Sequence, residues 1–140
     1  MPEFIARLLD LAVRIQQIPA PTFHEAERAE FVRGLFLAEG LSDVETDEGG
    51  NVYARLPAAR PSSPVTRPLI VSAHLDTVFP PDTDLSIRRE GGRIYGPGIG
   101  DNALAVAGLF GLLWLLRART PSTSLRALPF DLWLVANVCE

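Results

Sequence analysis

Three polar residues interrupt apolar stretches of this 140-residue sequence where chemistry could follow. His74 and Asp76 stand two apart in "RPLIVSAHLDTVF", and Asp101 follows the glycine-rich "GPGIG" just before a long apolar run. The first stretch reads as strand, with Leu69, Ile70 and Val71 in a continuous apolar run and Val78 and Phe79 beyond. Side chains on a strand repeat every two residues, so His74 and Asp76 are expected on one face and Leu75 on the other. A carboxylate one repeat away, about 7 Å along the backbone, can accept from one ring nitrogen and leave the other free. That arrangement fixes the imidazole tautomer and raises its basicity, as a metal ligand or a general base requires. The pair alone still favours a purely structural reading, because short polar pairs recur without function.

Asp101 is open to two readings. It could cap the helix that follows, a place aspartate favours. Alternatively Gly96, Gly98 and Gly100 let the backbone pass close to another group and aim the carboxylate at a fixed point. The same glycines offer a rival, since Gly98, Gly100 and Ala103 match the G-x-G-x-x-A spacing of a dinucleotide-binding turn. Against it, the charge of Asp101 would repel a pyrophosphate, and apolar helix occupies the region where a ribose-binding acid belongs. Cys139 offers a further rival, a nucleophile with His74 as base and Asp76 as orienter, although no local nucleophile signature surrounds it. His24, in a charge-rich helix start, reads as solvated.

These residues need elements to position them. Phe4, Leu8, Leu11, Ile15 and Ile18 recur at helical spacing up to Pro19, which gives a first amphipathic helix. A second follows in "PAPTFHEAERAEFVRGLFLAEG", where Thr22 and Glu25 have capping-box spacing and Gly40 marks the stop. "VETDEGGNVYARL" predicts one hairpin and "LSIRREGGRIYG" a second, turning at Gly91 and Gly92. Residues 57–68 hold four of the twelve prolines and should form an exposed loop. "ALAVAGLFGLLWLL" is hydrophobic nearly all round and predicts an interior helix against a sheet. "PFDLWLVANVCE" reads as an apolar strand. The order predicts an α/β fold, a central sheet flanked by helices, with ligands at the carboxyl ends of strands. His74, Asp76, Asp101 and Glu140 could converge there.

The bulk composition narrows the classes. A content of 47% hydrophobic and 21% charged residues is that of a globular domain rather than a disordered chain. A net charge of −4 argues against a nucleic-acid partner. All thirteen basic residues are arginine, which excludes a phosphate-loop lysine, a Schiff base and a lysine general base. One cysteine cannot form an internal disulfide, and the opening residues carry acids where a signal peptide would not. The longest uncharged apolar run, fourteen residues at 103–116, falls short of the ~20 that span a bilayer. The expectation is a soluble, cytoplasmic protein with no membrane partner.

Taken together, "HLDTV" at 74–78, "GPGIGDN" at 96–102 and an apolar strand ending at Glu140 resemble the aminoacylase and carboxypeptidase family of dinuclear-zinc hydrolases. The motifs stand in the family's order, 27 and 39 residues apart, and the likeness runs from the opening helix through "PAPTFHEAE". The resemblance implies that His74 ligates one zinc, that Asp76 orients it, and that Asp101 bridges two metals. It implies that Glu140 is the general base, with Co2+ or Mn2+ as alternatives to Zn2+. The implied substrate is a peptide or an N-acyl amino acid, and the reaction is hydrolysis of an amide by metal-activated water. Asn102-Ala103 departs from the family's more frequent residues, at positions that carry no ligand. The family's adjacent glutamate, its later acidic and histidine ligands and its dimerisation domain have no counterpart in this sequence. The chain, 1–140, is therefore expected to be the N-terminal part of a catalytic domain, inactive alone and prone to associate, for instance as a homo-oligomer. The alternative is a non-catalytic binding module on the same scaffold.

Overall fold

A computed structural model describes residues 1–58, 67–119 and 128–139. Part of the proline-rich loop expected at 57–68, and Glu140, lie outside these described residues.

Two helices open the chain, α1 at Pro2–Gln16 and α2 at Ala26–Ala38. Proline at the first helical position of α1 gives up an N–H that would have no partner there. Leu11, Ala12 and Ile15 form its buried stripe. Helix α2 ends as the sequence predicts. Gly40 adopts φ +67, its N–H bonds to Leu37 O at 2.9 Å, and Leu41 N–H reaches back to Phe36 O at 3.3 Å. This pair of reversed bonds is the Schellman ending, and it needs a residue free of Cβ strain at Gly40.

The start of α2 corrects the sequence reading. Thr22 and Glu25 do not form a capping box: Glu25 itself is the N-cap residue, and no side chain bonds the first turn. Glu25 Oε1 instead accepts from Phe23 N–H at 3.0 Å, and Thr22 turns toward another segment altogether. The four-residue spacing was right for a cap, but a buried carboxylate elsewhere competes for the threonine hydroxyl.

Among the described residues six strands follow: β1 at Ser42–Thr46, β2 at Val52–Leu56, β3 at Leu69–His74, β4 at Arg88–Glu90, β5 at Arg93–Tyr95 and β6 at Leu132–Asn137. Both predicted hairpins form, β1 with β2 and β4 with β5. In the first turn Asp47 accepts from Asn51 N–H and Asn51 Nδ2, each at 2.9 Å, and these bonds hold its carboxyl below the usual range. The second turns on Gly91 at φ +57 and Gly92 at φ +75, which two-residue hairpin turns require.

The main sheet has the order β1-β2-β6-β3, with β6 antiparallel to β2 and parallel to β3. It is a mixed sheet, as the α/β expectation has it. Central β6 buries Leu132, Leu134, Val135 and Ala136, in keeping with its unbroken apolar sequence. Strand β3, though apolar at its start, is not buried there. It lies at the sheet edge among the described residues, with Leu69 48% and Ile70 62% exposed. An apolar triplet cannot by itself reveal which strand is central, because neighbours in the sheet come from distant sequence.

Helix α3, Leu104–Arg119, packs against α1 and β3 and buries Val106, Ala107, Leu109, Phe110 and Leu113. Phe110 stacks on Phe36 of α2 with ring centroids 4.9 Å apart. Residues Ile99–Ala118 are long and apolar enough to cross a bilayer by length and composition, but here they supply the core. All three helices contribute buried side chains to the one core cluster shared with the sheet. Tyr53, Ile70, Trp133 and Val135 line an open groove on the sheet.

Candidate metal centre

Strands β3 and β6 run in parallel and finish side by side, with His74 opposite Asn137. Leu75 N–H extends the ladder by one bond, to Asn137 O at 2.7 Å. Just past this edge lies Asp76, two residues beyond the end of the strand that was expected to hold it. Despite that break, Asp76 Oδ1 lies 3.3 Å from His74 Nδ1. On the ring's opposite side, His74 Nε2 is 3.0 Å from Asp101 Oδ1. The structure thus places the three residues in line, Asp76 behind the imidazole and Asp101 before it.

Their surroundings differ sharply. Side-chain exposure is 6% for Asp76, 18% for His74 and 86% for Asp101. A buried carboxylate behind a half-buried imidazole is placed to orient the ring. A solvated one in front can be reached by a ligand. Asp101 is not a helix cap, since α3 begins at Leu104. It sits in the π-turn Ile99–Ala103 with φ −130 and ψ 90, and the peptide it forms with Asn102 is cis.

The glycines before Asp101 have unequal reasons. Gly98 adopts φ +69, and Ala103 N–H closes the turn onto Gly98 O at 3.2 Å. At Gly96 an added Cβ would stand 3.0 Å from Ile87 Cγ2, so this glycine permits a close approach. Gly100 has open space where a Cβ would go, so the expected steric reason does not apply to it. Gly98→Ala should therefore cost about 1–2 kcal/mol through the left-handed backbone alone. A urea unfolding midpoint on that variant and on Gly100→Ala, which should be milder, checks the difference.

Three residues that sequence reasoning missed hold this arrangement. Gln16, fully buried at the end of α1, donates from Nε2 to Leu85 O at 3.0 Å and to Pro97 O at 2.9 Å. It ties the helix to the loop that carries Asp101. Arg28 of α2 is 1% exposed and donates from Nε to Ile18 O at 2.9 Å and from Nη1 to Leu75 O at 2.6 Å. Burial pulls its guanidinium down to about 10, while the charge of Asp76 acts to hold it up. Thr22 donates its hydroxyl to Asp76 Oδ2 at 2.8 Å. A glutamine on α1 and an arginine on α2 give no sequence signal of burial.

The rival readings do not gain support. Strand β5 belongs to a two-stranded hairpin outside the main sheet, so the glycine turn opens no dinucleotide-binding unit. The Cys139 thiol is pushed up, first by lost hydration and then by the charge of Glu25, whose Oε1 lies 3.7 Å from Sγ. A nucleophilic cysteine needs the opposite shift.

Do the residues present fit a divalent metal? Among the described residues, no group of three or more His, Cys, Asp or Glu side chains gathers around one point. Two do. Bonds of about 2.0–2.2 Å to zinc put neighbouring tetrahedral ligand atoms roughly 3.3 Å apart. The observed 3.0 Å between Nε2 and Oδ1 lies close to that edge length. One nitrogen and one carboxylate oxygen suit zinc's borderline character. The pair therefore fits part of a metal site.

A family model described as Peptidase family M28 matches residues 51–132, more than half of the chain. The chain belongs to peptidase family M28. The peptidase resemblance read from its motifs agrees with that assignment. The M28 chain is 37% identical over 71 residues to the cytosol non-specific dipeptidase of Escherichia coli strain K12, covering 51% of this chain and 14% of that one. Its fold is similar to that of aminopeptidase PepT from Bacillus cereus, with a TM-score of 0.74 at 20% identity. That match covers 95% of this chain and 36% of PepT. Aminoacylhistidine dipeptidase from Vibrio alginolyticus gives 0.69 at 22% identity, over 96% of this chain and 28% of that one. The chain thus spans between about one seventh and about one third of the length of these relatives.

Proposed function

We propose that this chain is the N-terminal part of a zinc-dependent peptidase or deacylase catalytic domain that hydrolyses an amide bond with metal-activated water. The observation that carries the reading is the in-line set Asp76, His74, Asp101 at the ends of parallel strands. Family membership and dipeptidase relatives support a peptide or N-acyl amino acid as substrate. The name of the Escherichia coli relative supports a cytosolic setting.

In this reading His74 would hold the metal through Nε2, and Asp101, solvated and placed by its turn, would be a second ligand. Asp76 keeps the Nδ1 proton in place, so that Nε2 presents its lone pair outward. When bound, a divalent metal polarises a carbonyl oxygen and lowers the pKa of water toward about 7. Glu140, outside the described residues, would take the water proton and deliver it to the leaving amine, the role the family resemblance implies for it. Cys139 N–H, donated to Glu25 Oε1 at 3.3 Å, anchors the backbone just before that glutamate.

His74 and Asp101 are two of the five protein ligands that the resemblance implies, whereas even one catalytic zinc normally has about three plus water. The 140-residue chain alone should therefore bind zinc weakly and turn over neither short peptides nor N-acyl amino acids. The assay adds excess zinc or cobalt to the purified chain. Turnover that a chelator abolishes would contradict this division of the ligand set.

A further inference from the structure

We propose that Thr22 is a positioning residue for His74, acting through Asp76, whose outer carboxylate oxygen it holds. This rests on the metal-site reading above and adds a group to it from the connection between α1 and α2.

The geometry is specific. Asp76 uses its two oxygens on two different neighbours: Oδ1 faces His74 Nδ1 at 3.3 Å, and Oδ2 accepts the Thr22 hydroxyl at 2.8 Å. A carboxylate held at one oxygen can still pivot; held at both, it cannot. The Thr22 bond therefore decides which way Oδ1 points, and with it which ring nitrogen carries the proton.

The segment carrying Thr22 is itself docked on the strand that carries His74. Thr77 N–H donates to Ala20 O at 2.8 Å, Pro21 and Thr77 form a parallel bridge, and Arg28 clamps Ile18 O and Leu75 O. A hydroxyl delivered from so constrained a backbone stays in place. Arg28 also supplies the competing pull. Its charge acts on Asp76, so a carboxylate released by Thr22 is still subject to the field of the guanidinium.

Asp76 and Asp101 compete for the ring proton: Nε2 is in hydrogen-bond geometry with Asp101 Oδ1 at 3.0 Å, and Nδ1 stands at ion-pair distance, 3.3 Å, from Asp76 Oδ1. Burial outweighs that difference. Asp101 is solvated, whereas Asp76 is 4% exposed and interacts in a medium of lower dielectric. On this proposal the carboxylate held by Thr22 keeps the proton on Nδ1.

The test compares the wild-type chain with Thr22→Val, which keeps shape but loses the hydroxyl, and Thr22→Ser, which keeps the hydroxyl. Competition with a chromogenic chelator reads zinc affinity. Two-bond nitrogen–proton correlation at a pH where the ring is neutral reads the tautomer, and with two histidines, His24 and His74, the signals are readily assigned. Thr22→Val should bind zinc about tenfold more weakly, the low end of the 10–100-fold typical for partners behind a ligand. It should also lose the Nδ1–H tautomer of His74, and Thr22→Ser should restore both. Unchanged affinity and tautomer in a folded Thr22→Val would overturn the proposal. So would equal losses in Val and Ser. If the wild type binds no zinc at His74 while the tautomer still follows the hydroxyl, the metal reading fails and the positioning role stands. Should Thr22→Val not fold, by circular dichroism, the wild-type spectrum decides alone: Nε2–H on His74 refutes the proposal, and Nδ1–H with a Thr22 hydroxyl proton slow to exchange supports it.

Discussion

Replacing His74 with alanine should weaken zinc binding by about a hundredfold or more, beyond the 10–100-fold that loss of an outer partner costs. Nε2 is the nitrogen in the proposed pair, and Asp101 alone, 86% exposed, would be left as a single solvated carboxylate. Such a carboxylate holds a divalent ion weakly, because water competes for the same positions. Fold stability should change far less, since His74 is at a strand end and only part-buried. Asp76→Asn makes the complementary case. The amide can keep the Thr22 contact through its oxygen only by turning its NH2 group toward the ring, which favours the wrong tautomer for Nε2 presentation. Its loss should fall within the 10–100-fold range, smaller than that of His74→Ala. Chelator competition on both variants gives the order, and an Asp76→Asn loss exceeding that of His74→Ala would mean that Asp76, not His74, holds the ion.

Arg28→Met should destabilise the fold by about 3–5 kcal/mol, more than Gly98→Ala or His74→Ala. Methionine matches the length of the stem but leaves Ile18 O and Leu75 O without their guanidinium donors. Each orphaned buried carbonyl costs about 1–3 kcal/mol. The charge of Asp76 loses its nearby cation as well. A urea titration followed by tryptophan fluorescence reads the effect directly, because Trp114 and Trp133 report on α3 and β6. A shift under about 1 kcal/mol would mean that water replaces the guanidinium without loss, against the burial of Arg28 at 1% exposure.

Much of the candidate site was legible because polar residues stood out against apolar runs. His74 and Asp76 interrupt a strand, Asp101 follows a turn of glycines, and no other histidine competes except His24. Local signals also gave both hairpins and the Gly40 helix ending, since each depends on a backbone conformation that few residues adopt. What failed was whatever depends on distant sequence. Thr22 has the spacing of a cap, and only the fold brings Asp76 within 2.8 Å of its hydroxyl. Arg28 and Gln16 are long polar side chains with no mark of burial in the sequence, yet both are buried on carbonyls of other segments. The apolar run of β3 gives no sign of its place in the sheet, and its position at the edge among the described residues follows from β6 arriving some sixty residues later between it and β2.

The central claim is that His74 and Asp101 share a divalent metal while Asp76 stays behind the ring. Anomalous diffraction at the zinc edge, from crystals of the chain saturated with zinc, tests it most directly. The account predicts a peak about 2.0–2.2 Å from both His74 Nε2 and an Asp101 carboxylate oxygen, with Asp76 still on Nδ1. A saturated crystal with no peak there, and with Nε2 and Oδ1 still in direct contact at 3.0 Å, would contradict it.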